Sequence, residues 1–305
     1  MSHRTNVIYL SSAFFLAFLA IFVGPARLLP VPAAVAVYAA FVALVVAVIW
    51  RIGATKLANG YARRSPSFLP GVLLLAGPLV LILGASITGH PTADRPGLFL
   101  LNTTALLIGV LILQAGFVLL SVRLWQEGER LLPALGLAGF LIGTAMFAAN
   151  MVFRYAVTAS GAADAFVLAD RQVFPTLGEI SFPLQSEPSW LVFLYVWATL
   201  MLAAYGFLSY LVAAAYGASL ARSGWIGRNG GRILVGIGLA FALVMGPGWL
   251  LLDNPVVGFL IFFLGVPFMT VVLPYFLGVA LVRRARHEDR TFSKEPHAGR
   301  VPITH

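Results

Sequence analysis

Eight apolar stretches, each long enough to cross a bilayer, alternate along the chain with short polar connections. A hydrocarbon core of about 30 Å needs roughly 20 apolar residues per helix. The stretches run over 7–24, 31–50, 69–88, 98–122, 131–153, 190–215, 233–252 and 256–281. They are apolar throughout and do not alternate with period two, which selects helices over a transmembrane barrel. The expected fold class is therefore an all-α polytopic membrane protein with eight transmembrane helices. Of the 305 residues, 60% are apolar and 10% charged. The longest connection, 154–189, is too short for a soluble domain.

The basic residues set an orientation. Sixteen of the 20 Lys and Arg fall at the N-terminus, in every second connection, or after the last span. They are Arg4, Arg51, Lys56, Arg63, Arg64, Arg123, Arg130, Arg222, Arg228, Arg232, Arg283, Arg284, Arg286, Arg290, Lys294 and Arg300. Only Arg27, Arg95, Arg154 and Arg171 lie on the other side. This asymmetry predicts both ends in the cytoplasm and attraction to anionic headgroups on that face. It accounts for a net charge of +9 without a nucleic-acid partner. Arg4, the following apolar run and the small residues at Ala33–Ala36 also fit a cleavable leader. The retained span is preferred here, because it anchors the loop charges consistently. Leu-, Ala- and Arg-rich usage suggests a bacterium, hence a cell inner membrane location.

Absences narrow the chemistry. The chain has no cysteine, which removes disulfides, thiolate metal sites and thiol nucleophiles. His3, His90, His287, His297 and His305 all lie outside the spans, so haem or copper ligation within the membrane is not expected. No span holds Lys, Asp or Glu, which argues against a retinal Schiff base and against proton relays. No phosphate-binding glycine loop or metal motif is present, and Gly227–Gly231 reads as a turn. Ser86, His90 and Asp94 are spaced like a hydrolase constellation, but Pro91 breaks the helix there. The expectation is a protein that is not an enzyme and binds no cofactor or metal.

The second half resembles a loose copy of the first. Leu119–Arg123 ends one span and is followed by Glu127, Glu129 and Arg130; Val279–Arg283 ends another and is followed by Glu288, Asp289 and Arg290. Gly77-Pro78 and Gly246-Pro247 occupy corresponding spans, each preceded by a basic connection. Two tandem four-helix units, 1–130 and 131–290, are a candidate organisation, with 291–305 a disordered cytoplasmic tail. The alternative is that alternating basic loops and Gly-Pro pairs are common to many membrane proteins. The connection 154–189 carries Ala162, Phe166, Ala169 and Val173 on one helical stripe, which suits a short surface helix capping the bundle.

Pro78, Pro247, Pro267 and Pro274 lie inside spans, where each removes an N–H and leaves a carbonyl unpartnered. Pro267, Thr270 and Pro274 share a face at i, i+3 and i+7. Interrupted helices in corresponding halves mark transporter sites, although neighbouring helices often absorb such kinks. The candidate ligand-binding set is Gly246, Pro247, Trp249, Pro267, Thr270 and Pro274, with Gln114 and Asn150 as polar lining. Gln114, Thr144, Asn150, Ser209, Asn102, Thr103 and Thr104 need partners in hydrocarbon, and interhelical hydrogen bonding is their ordinary role. Arg154 is placed to pair with Glu179 or Glu187, and Asp253-Asn254-Pro255 reads as a helix cap.

Two function classes follow. One is a permease or carrier for a neutral or lipophilic small molecule. The other is a non-catalytic membrane subunit, assembly factor or sensor acting through helix contacts, as a homo-oligomer or with another membrane protein.

Overall fold

The computed structural model describes residues 65–88, 96–159, 189–248 and 271–292, with isolated helical positions between 32 and 47. The expected spans 7–24 and most of 31–50 lie outside the described residues, as does 160–188. Among the described residues every regular element is a helix. We label them α1 (Phe68–Thr88), α2 (Pro96–Gln126), α3 (Leu131–Ala159), α4 (Ser189–Arg222), α5 (Arg228–Gly248) and α6 (Leu273–Phe292).

Leu100–Gln126, Leu131–Phe153 and Ala204–Arg222 are long and apolar enough to cross a bilayer. Their outward faces are apolar too: Leu101, Ile108, Leu111 and Val118 on α2, and Leu135, Ile142 and Val152 on α3, are exposed. Such a surface suits a hydrocarbon solvent and not water. The architecture is that of a helical membrane protein.

Several helices outrun the expected spans. The 98–122 stretch is helical through Gln126, 131–153 through Ala159, and 190–215 through Arg222. Residues 154–159 of the expected external connection are thus helical. Tyr155 anchors this extension by donating to the Leu100 carbonyl of α2 at 3.3 Å and bonding the Thr104 hydroxyl. The helix of the last span continues to Phe292. The prolines are accommodated differently from expectation. Helix α1 runs unbroken through Pro78, and α5 passes Gly246 and Pro247 to end at Gly248. Gly230 and Gly231 lie in the first turn of α5 and not in the turn before it.

Neighbouring helices run antiparallel, and small residues let them approach. Gly77 faces Gly109 between α1 and α2, and Gly217 faces Gly231 between α4 and α5. At the α1–α6 crossing, a Cβ on Gly71 would meet the Gly278 carbonyl at 3.1 Å, and one on Gly278 the Gly71 carbonyl at 2.9 Å. With no side chain between them, the backbones supply the packing contacts that hydrocarbon does not drive. The centre is aromatic. Phe117 of α2 lies 4.2 Å from Phe140 of α3 and 5.2 Å from Tyr216 of α4, centroid to centroid. The fully buried Tyr216 hydroxyl and Ser121 satisfy one another at 2.6 Å.

Helix α6 packs on α1. Under a two-fold relation between tandem halves, this pairing would be mirrored by α2 against α5. Those two share no comparable interface among the described residues.

Candidate functional site

Two helix ends are built alike. After α2, Gly128 adopts φ 94°, the Glu129 N–H donates to the Leu124 carbonyl at 3.1 Å, and the Gly128 N–H to Trp125 at 3.1 Å. After α4, Gly224 adopts φ 70°, the Trp225 N–H donates to Leu220 at 2.9 Å, and the Gly224 N–H to Ala221 at 3.3 Å. Each is a left-handed glycine cap that ties off the last carbonyls of its helix. Glu127 immediately precedes one such glycine, and Trp225 immediately follows the other. The two caps hold them face to face, and the Trp225 indole N–H donates to Glu127 Oε2.

A four-charge cluster grows from this contact. Arg123 in the last turn of α2 and Glu127 just past its end form an i,i+4 pair at 3.2 Å, and Arg284 and Glu288 form one on α6 at 3.0 Å. The pairs also cross. Arg123 reaches Glu288 at 3.3 Å, and Arg284 reaches Glu127. The Arg284 guanidinium lies 4.1 Å over the Trp225 ring, in cation–π position. On the far side Glu288 accepts from Ser65 at 2.6 Å and Ser67 at 2.9 Å, the two serines that lead into α1. The Ser67 carbonyl meanwhile starts the helix by accepting from the Gly71 N–H at 3.4 Å. One cluster thus joins the start of α1, the end of α2, the α4–α5 turn and the extension of α6.

The cluster is neutral and largely screened from solvent, its four side chains 14–28% exposed. Burial by itself raises the Glu288 pKa. The hydrogen bonds from Ser65, Ser67, Arg284 and Arg123 outweigh that and hold the carboxyl below the usual range. A carboxylate so held stays ionised at neutral pH and serves as an acceptor hub. Among the described residues no group of three or more His, Asp or Glu could hold a metal ion.

None of the cluster was among the residues singled out from sequence for ligand binding. Its signal was nonetheless present: two Arg–Glu pairs at i,i+4, each just past the end of an apolar span. Of the expected ligand-binding set, Gly246 and Pro247 lie at the end of α5, and Pro274 is buried in the first turn of α6. Trp249, Pro267 and Thr270 lie outside the described residues. Gln114 is half-buried on α2 and Asn150 buried on α3. The α2–α3 register, set by Phe117 against Phe140 and Thr104 against Tyr155, puts Gln114 level with Thr144. Asn150 then lies about 9 Å further along the axis, at 1.5 Å per residue. Thr144 donates within its own helix, to the Leu141 carbonyl at 3.1 Å.

Comparison of the chain with protein-family models, curated proteins and solved structures gives no match.

Proposed function

We propose that the protein is a multi-pass permease or carrier of a bacterial cytoplasmic membrane, moving a neutral or lipophilic small molecule without chemical change. The observation that carries this reading is the entry into α6. The backbone makes a wider, π-type turn at Val271–Val272 immediately before Leu273 and the buried Pro274. A widened turn accommodates the N–H that Pro274 lacks, and such irregular turns concentrate at functional sites. In this reading the ligand sits between Gly246–Trp249 and Pro267–Pro274, with Gln114 and Asn150 as polar lining. Eight spans with both ends in the cytoplasm complete the picture. Anionic lipid headgroups neutralise the basic loops.

The test is flux. Pro247→Ala and Pro267→Ala should lower the uptake of neutral lipophilic probes into reconstituted vesicles, with insertion and abundance unchanged. Equal loss of abundance and flux would favour packing as the role of these prolines.

A second reading, a non-catalytic subunit, assembly factor or sensor, is favoured by the tight Phe117–Phe140–Tyr216 contact at the centre of the bundle. It expects a stoichiometric membrane-protein partner or second copy to co-purify in mild detergent.

A further inference from the structure

We propose that the Arg123–Glu127–Arg284–Glu288 cluster is a latch between α2 and α6 that opens by exchange of partners, each charge keeping a neighbour along its own stretch of chain. In most buried ion pairs, separation strands a charge in a poorly solvated place, which makes the pair a fixed brace. Here every charge has two partners of opposite sign. One is four residues away along the same stretch of chain, and the other is across the gap. When the helices part, Arg123 keeps Glu127 and Arg284 keeps Glu288. Water replaces the contacts that α6 makes with Arg123, Glu127, Ser65, Ser67 and Trp225.

Three further observations fit a moving α6. Among the described residues, its helix-to-helix packing is on α1, with no comparably extensive interface with α2. The cluster is therefore its principal polar tie to α2. Its crossing with α1 is the close approach of Gly71 and Gly278, a pivot flanked by the side chains of Leu75, Leu281 and Val282, which a tilt of α6 must slide past. Its other end begins at the π-type turn of Val271–Val272, where the backbone ladder is already irregular. Glu288 lies ten residues beyond Gly278, so a tilt of about 20°, the size of an ordinary helix kink, displaces it by about 5 Å. That is enough to break the contacts with Arg123, Ser65 and Ser67. The Trp225 ring and the Glu127 carboxylate stay behind as the seat to which Arg284 returns.

The latch needs no transported substrate, and its test is a distance. The chain has no cysteine, so Arg130→Cys and Arg283→Cys introduce two spin labels into an otherwise unaltered protein. Raising salt from about 0.1 M to about 1 M shortens the screening length from about 10 Å to about 3 Å and should lengthen the main label distance by about 2–3 Å, the displacement that a tilt of about 20° gives five residues beyond Gly278. Reversing α6 alone, Arg284→Glu with Glu288→Arg, keeps the i,i+4 pair but opposes like charges across the gap. This variant should show the long distance at low salt. Adding Arg123→Glu with Glu127→Arg should restore most of the short distance. An unchanged distance in the α6 reversal would identify a fixed brace and overturn the latch. So would loss of folded protein in that variant that the four-site reversal does not recover.

Discussion

Arg123 and Glu288, 165 residues apart in the chain, meet at 3.3 Å across the ends of α2 and α6. Their contact closes a circuit in which two serines, a tryptophan and four charges from separate connections satisfy one another. The polar ends of the bundle are joined there as specifically as the apolar centre is packed.

Glu288→Gln should be the most damaging single change in the cluster, because Glu288 accepts from Ser65, Ser67, Arg284 and Arg123. Charge-assisted hydrogen bonds are worth about 1.5–3 kcal/mol, reduced here by partial exposure. Thermal unfolding in detergent should show a clear drop, with Ser65→Ala costing less. Equal stability for Glu288→Gln and parent would mean the hub is not a stabilising element.

Acid should act through the same carboxylate. Its folded-state pKa lies below the ordinary carboxylate value of 4.5. The stabilisation is therefore fully present above that value and lost as pH falls through the lower folded value. Arg123 and Arg284 are the cations that face Glu288, and Glu127, just past the end of α2, contacts both of them. A melting series from pH 7 to pH 3 should show the parent losing stability towards the acid end and Glu288→Gln losing less. Parallel curves would assign the acid sensitivity elsewhere.

Backbone approach should be unforgiving at Gly238, where a Cβ would stand 2.6 Å from the Tyr210 carbonyl and 2.8 Å from the Ala214 nitrogen. Gly238→Ala should cost about 1–3 kcal/mol through displacement of α4 from α5. Gly236 has nothing within 4 Å and is helical. Gly236→Ala should be neutral or stabilise by up to about 1 kcal/mol. Paired thermal melts check the contrast.

Ser121→Ala leaves the buried Tyr216 hydroxyl without its partner, while adding Tyr216→Phe removes the orphan. The single change should cost about 1–2 kcal/mol and the double change less, since an unmade buried bond is the expensive state. A double mutant as damaged as the sum of both singles would show that the bond itself, and not its orphaning, carries the effect.

Reporter fusions after residues 58, 126, 226 and 292 should read cytoplasmic, and those after 92 and 170 external. An external reading at 226 would overturn the eight-helix arrangement.

The sequence alone determines that the elements are helices suited to a bilayer, because the requirement is length and apolarity, both local properties. It places α1 within a residue and the start of α3 on Leu131. It falls short wherever an end is held by a distant partner. Helix α3 continues past Asn150 because Tyr155 finds Leu100 and Thr104, and α6 continues past Leu281 because Arg284 and Glu288 find α2 and the start of α1. Pro78 reads as an interruption by its missing N–H, yet α1 continues through it. The Arg–Glu pairs were visible as helical spacing, but their meeting was not. Spacing along one helix is set by 3.6 residues per turn, whereas which two helix ends meet is set by the Gly71–Gly278 and Gly77–Gly109 crossings and the glycine caps at Gly128 and Gly224. Only the folded chain brings those together.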